Sequence, residues 1–342
     1  MSRNMKNANK VFFSNILSML DEDLAHQVPD CVRYISTSDE DKRWLKFLSI
    51  EYSFRMARDT FALLLNLEDN KYLCLINIRA IDEKLPPCLT TIPVNAGLIT
   101  VLGAEGYLTS KVDRDRQLQI VDSVMYETSD IGYHGHQWSD IMNLFLPVHC
   151  YEINLDGVDA DIQENKNVFY QILCQVMFEA DAGNNPYTEK SKNVWEKIFY
   201  EAALSEINFK NLLMSFIALT WDISYLYLYQ CLEDKFACEV VHPLLKRLNV
   251  DITELDLNRM LYDELSWQPR DLDGIERILN KCSNSKGVNL LQPLAGSENL
   301  SKYIYSLRNS IVHETKDTRI PLNDNLKWES VIEGILYLLL EV

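Results

Sequence analysis

YIYSLRNSIVHETKD, residues 303–317, is a helix by its apolar spacing and carries polar residues that this spacing does not need. On a wheel turning ~100° per residue, Leu300, Tyr303, Ile304, Leu307 and Ile311 fall on one arc and form a core-facing stripe. Asn309 and His313, four apart, stack on the opposite face. Arg308 lies on the shoulder, about 140° around the axis from His313. One helix therefore does not aim Arg308 and His313 at the same small group. Two such helices, antiparallel about a twofold axis, line one cleft with two arginines and two histidines.

Outward from this stretch the C-terminal region reads as helix throughout. The periodicity predicts helices at about 209–236, 238–249, 271–283, 297–315 and 325–341, with Pro243, Pro269, Pro293, Gly296 and Pro321 in the connectors. No strand signal interrupts them. The run LLMSFIALTWDISYLYLY (212–229) is long enough to span a bilayer, but Asp222 sits near its middle. A charge there costs roughly 3 kcal/mol on insertion scales, and Ser215, Thr220 and Ser224 weaken the run further. It reads as a buried helix of a bundle, and no membrane association is expected.

The N-terminal region is mixed. A short helix is expected at 9–20. A longer one runs from about Asp41 to Asn66, where Trp44, Leu45, Leu48, Tyr52, Met56 and Phe61 follow helical spacing and Ser38 or Asp39 caps the start. KYLCLINIRAI (71–81) is a strand between Asp69-Asn70 and Pro86-Pro87. Residues 97–108 read as a strand or a Gly-interrupted helix, and 141–155 as a strand pair or a helix broken at Pro147. Helices are expected at 164–180 and 191–207. The fold class is thus mainly α: an α-rich mixed (α+β) N-terminal domain over 1–205, followed by an all-α helical bundle over 206–342.

The net charge of −17 over 342 residues argues against extensive DNA or other non-specific nucleic-acid coating, which needs a positive footprint. Residues 301–330 depart from that balance. Lys302, Arg308, Lys316, Arg319 and Lys327 there face only Glu314, Asp317, Asp324 and Glu329, so the quoted helix sits in a nearly neutral island. The eight cysteines, at 31, 74, 88, 150, 174, 231, 238 and 282, form no C-x-x-C pair and no zinc or disulfide spacing. They read as free thiols of a reducing, cytoplasmic compartment, and the first residues lack the apolar run of a secretory leader.

Arg308, Asn309 and His313 suit one reaction. RNA is cleaved without metal when its own 2′-hydroxyl attacks the adjacent phosphate. A histidine serves that attack as general acid or base. A guanidinium stabilises the charge that develops on the phosphorane oxygens, and an amide orients either partner. LRNSIVHE resembles the signature of the HEPN (higher eukaryotes and prokaryotes nucleotide-binding) domains: an Arg, a polar residue, and a His after a short interval, ahead of a final helix. The resemblance covers the C-terminal bundle only. It implies an all-α HEPN-like bundle that forms a homodimer with a composite site. For active members it implies metal-independent endoribonuclease activity in toxin or antiviral (anti-phage) defence roles. Arg308, Asn309 and His313 are the catalytic residues it points to. The family often adds an acidic residue on an earlier helix, and Asp222, Glu233 and Glu239 are candidates among which the sequence does not choose. HEPN toxins silenced by a partner nucleotidyltransferase carry a tyrosine two residues after the histidine; Thr315 stands there in this chain.

YHGHQWSD (133–140), with His149-Cys150 further on, offers His134, His136 and His149 as weak metal candidates and Tyr133 and Trp138 as a recognition surface. Metal and cofactor are otherwise not expected. The glycines at 97, 103 and 106 match neither the dinucleotide fingerprint nor the P-loop, and Cys231, Cys238 and His242 do not make a catalytic pair. Tyr225, Tyr227 and Tyr229 read as packing residues of a helix contacted all round, with base stacking as the alternative. The expectation is an RNA-cleaving HEPN-type homodimer whose N-terminal domain senses a trigger, selects RNA or binds a protein partner. The alternative is an inactive HEPN-like dimerisation module or a subunit of a larger defence complex.

Overall fold

Among the described residues the N-terminal region opens with the helices α1 (Met5–Ser18) and α2 (Asp39–Phe47). They belong to a computed structural model that describes residues 5–18, 35, 38–79, 81, 84–111, 141–154, 166–204, 207–248, 252, 254–267, 270–313 and 320–342. Ser38 caps α2 as expected: its hydroxyl accepts from Asp41 N at 3.2 Å while the Asp41 carboxylate accepts from Ser38 N at 2.7 Å, a closed capping box. The helix expected from Asp41 to Asn66 ends at Phe47. It gives way to a hairpin, β1 (Ser49–Ala57) and β2 (Thr60–Leu67), continued by β3 (Asn70–Ile76). Ile50, Tyr52, Phe54 and Met56 alternate with polar residues, and positions four apart satisfy both the helical period and the strand period. Glu68 (φ 52°) and Asp69 (φ 72°) both occupy the left-handed region, as a two-residue turn between right-twisted strands requires.

β4 (Leu89–Ile92), α3 (Ala96–Ala104) and β5 (Val148–Ile153) complete the described elements of this region. The sheet is antiparallel in the order β1-β2-β3-β5-β4. One sheet face, with Leu63, Leu65, Tyr72, Cys74, Ile76 and Cys150, buries against Phe12, Trp44, Leu98 and Leu102 of the helices. The Gly-interrupted segment at 97–108 is helical as far as Ala104. Gly97 and Gly103 are close approaches, and a Cβ on Gly103 would enter the Phe12 ring, while Gly106 (φ 78°) stands in open space after the helix.

The chain divides at 158/159, not at the expected 205/206. The helices α4 (Lys166–Glu179) and α5 (Glu189–Glu201) pack with the C-terminal bundle because their aromatic faces need partners there. Trp195 and Phe199 lie 5.4 Å from the ring of Phe216, on α6 (Phe209–Phe216). Beyond it come α7 (Trp221–Leu248), α8 (Glu254–Leu265), α9 (Asp271–Lys281), α10 (Lys286–Ala295), α11 (Leu300–Val312) and α12 (Asn325–Glu341). The helices expected at 209–236 and 238–249 are redivided into α6 and an α7 that runs through Pro243. α8 and α10 are additions to the expected set, Pro293 lies inside α10 and not in a connector, and Gly296 (φ 61°) separates α10 from α11.

The run 212–229 is therefore two helices, with Asp222 in the first turn of the second. Among the described residues no helix is long and apolar enough to cross a membrane. The bundle carries two buried glutamates one turn apart on α12, Glu329 and Glu333. Thr188 starts α5 without a side-chain cap. Glu329 replaces it, accepting from Thr188 N at 2.6 Å and Ser191 Oγ at 2.7 Å, and Lys190 pairs with Glu333 at 2.8 Å.

Candidate functional site around Arg308

α11 starts at Asn299, whose side chain accepts from Ser301 N at 2.8 Å. It buries Leu300, Ser301, Ile304, Leu307 and Ser310, so the stripe lies where the wheel placed it, with Tyr303 and Ile311 half-buried at its edges. Arg308 and Asn309 are half-buried and His313 is exposed. Arg308 Nη1 donates to Asn309 Oδ1 at 3.1 Å. His313 is the residue that ends the helix, its N–H donating to Asn309 O at 2.9 Å. Asn309 thus touches both neighbours of the motif, Arg308 by its side chain and His313 by its carbonyl.

The surroundings of Arg308 come from two other helices. Its guanidinium carbon lies 5.9 Å from the ring centroid of Tyr229 on α7. The Tyr229 hydroxyl donates to Asp271 Oδ2, on the first turn of α9, at 3.3 Å. Glu233, four residues beyond Tyr229 on the same face of α7, completes the group. Burial raises its carboxyl above the ordinary glutamate range, and Asp271 raises it further, while Arg308 pulls it down. Burial also raises the Tyr229 phenol, with Asp271 and Glu233 adding to it. Among the described residues Asn309 is the one hydrogen-bond acceptor of the Arg308 side chain, and no carboxylate forms an ion pair with it.

Of the three acidic candidates, only Glu233 shares the surroundings of Arg308. Asp222 accepts from the Thr220 hydroxyl and from Ile223 N, as a helix-start carboxylate does. Glu239 pairs with Lys281 at 2.7 Å. His134 and His136 lie outside the described residues, as do Tyr133, Trp138 and Thr315. His149 is half-buried on β5, opposite Leu75, and among the described residues no group of three His, Cys, Asp or Glu side chains could hold a metal. Burial pushes the thiols of Cys74, Cys174 and Cys231 well above the ordinary range and that of Cys150 to about 12. These are inert, space-filling thiols.

Two members of the group escape sequence reasoning as site residues. Tyr229 reads as packing, with base stacking as the alternative and not as a partner of Arg308, and its four-residue spacing to Glu233 is the available signal. Asp271 gives no local signal, since its place beside Tyr229 is set by a contact 42 residues away. Comparison with protein-family models, curated proteins and solved structures found no match to this chain.

Chemically, the group presents a guanidinium with donors uncommitted among the described residues, beside an amide and a carboxyl of raised affinity for protons. An exposed imidazole stands five residues on, about 140° around the same helix and roughly 7.5 Å along it.

Proposed function

We propose that the chain is a metal-independent endoribonuclease of the HEPN type, acting in toxin or antiviral defence. It cleaves RNA by 2′-hydroxyl attack at a site completed by a second copy. In this reading His313 is the general acid or base, Arg308 stabilises the phosphorane and Asn309 orients the Arg308 side chain. Glu233 is the acidic helper. The observation that carries the reading is the state of Arg308: half-buried, steered by Asn309, and paired with no carboxylate among the described residues although Glu233 is near enough to feel its charge. A guanidinium kept this way retains donors for a phosphate. The angle between Arg308 and His313 supports the requirement for two chains.

The products would carry a 2′,3′-cyclic phosphate and a 5′-hydroxyl. An oligoribonucleotide incubated with the purified chain and excess chelator should yield those ends. The same oligonucleotide with 2′-deoxyribose throughout should stay intact, as should RNA given Arg308→Ala or His313→Ala. Cleavage that stops on chelation, or leaves a 3′-hydroxyl, would overturn the reading. The second reading, an interaction module without catalysis, draws on the carboxylates of Glu233 and Asp271 in this group. They repel an approaching phosphate.

A further inference from the structure

Tyr225, Tyr229 and Glu233 recur every fourth residue of α7 and so share one face of it. Tyr225 donates to the carbonyl of Ile304 at 2.7 Å, one turn before Arg308. Tyr229, only 1% exposed, then meets the guanidinium of Arg308 with its ring and Asp271 with its hydroxyl. A phenol ring face attracts a cation, and more strongly where water is excluded. A bare carboxylate attracts a guanidinium more strongly still, by charge-assisted, often bidentate hydrogen bonds. Asp271 is such a carboxylate, yet it accepts from the phenol and forms no ion pair with Arg308 among the described residues.

We infer that Tyr229 is a positioning residue for Arg308: its ring is the platform under the guanidinium, and its hydroxyl occupies Asp271 so that the guanidinium stays available to a phosphate instead of pairing with that carboxylate. This rests on the ribonuclease reading for what Arg308 is held ready to do. Tyr229 itself acts only through Arg308 and does not touch the RNA. Asn309 holds Nη1 from one side, and the ring holds the plane from another.

Three variants separate the two roles of the tyrosine. Tyr229→Phe keeps the platform and frees Asp271 to capture Arg308. Its kcat should fall about tenfold, a fraction of the 10²–10³-fold that loss of a whole transition-state donor costs. Tyr229→Phe combined with Asp271→Asn keeps the platform and removes the competing charge, and should return kcat to within about threefold of the wild type. Tyr229→Leu removes the platform, should lose about 10²-fold, and should not be rescued by Asp271→Asn. A merely structural tyrosine would give losses that follow the melting temperature, with no rescue by the second substitution.

A readout without cleavage accompanies these. With selectively labelled arginine, the side-chain protons of Arg308 should be displaced upfield by the Tyr229 ring in the wild type and return to ordinary shifts in Tyr229→Leu. If the wild type cuts no RNA while that displacement is present, the nuclease reading falls and the platform stands. If Arg308 shows no displacement in the wild type, or the double variant is no more active than an active-but-impaired Tyr229→Phe, the positioning role is overturned.

Discussion

The Tyr225 hydroxyl and the Ile304 carbonyl oxygen lie 2.7 Å apart, both buried, and join α7 to α11 one turn ahead of Arg308. Tyr225 is fully buried and its phenol is raised well above the ordinary range by that burial, so it stays a neutral donor throughout the working pH range. Removing the hydroxyl in Tyr225→Phe leaves the ring and loses one buried hydrogen bond. Unfolding in urea should show a loss of about 1 kcal/mol, with an unchanged denaturant slope.

Glu233→Gln should move stability and activity in opposite directions. The folded-state carboxyl holds its proton more tightly than an ordinary glutamate. Between the ordinary and the raised value the native state therefore binds more protons than the unfolded one, and stability falls as pH rises through that window. Glutamine carries no such cost. Its melting temperature should exceed the wild type's at neutral pH and match it below the ordinary glutamate range, near pH 4. Cleavage should nonetheless slow by about tenfold or more if Glu233 assists proton transfer.

Glu329 replaces a helix cap from across the bundle. Glu329→Ala strands the Thr188 N–H and the Ser191 hydroxyl, which donate to the carboxylate at 2.6 and 2.7 Å. A destabilisation of about 2 kcal/mol is expected, measurable by chemical denaturation. The loss should appear as a lower transition midpoint, with cleavage below that midpoint little changed.

Glu239→Gln separates the acidic candidates. Glu239 pairs with Lys281, a half-exposed lysine, and such pairs contribute little. Stability should shift by no more than about 0.5 kcal/mol, and the rate of RNA cleavage should stay within about twofold of the wild type.

Long helices with clean apolar stripes are legible in the sequence. The final helix lies over Asn325–Glu341, as its periodicity predicts, and α11 spans most of the expected 297–315. The hairpin at Ser49–Leu67 is not, because Tyr52 and Met56 fit both periods and no glycine marks its Arg58-Asp59 turn. The domain boundary is hidden for a different reason. Trp195 and Phe199 read as any amphipathic helix, and only tertiary contact with Phe216 assigns them to the second unit. At the candidate site, Arg308, Asn309 and His313 are read from one helix. The choice of Glu233 over Asp222 and Glu239, and the presence of Asp271, depend on how α7, α9 and α11 come together. That is long-range packing, and local pattern does not encode it.

The central claim is that one chain does not complete the site, and mixing two inactive variants tests it most directly. Arg308→Ala and His313→Ala, each alone, should leave RNA uncut. Denatured and refolded together in equal amounts, they form mixed dimers whose shared cleft holds one arginine and one histidine from different chains. Cleavage should then return to a sizeable fraction of the wild-type rate, with chelator present and with the dimer confirmed by its mass. A mixture as inert as its parts, or a wild-type monomer that cuts RNA at full rate, would contradict the account.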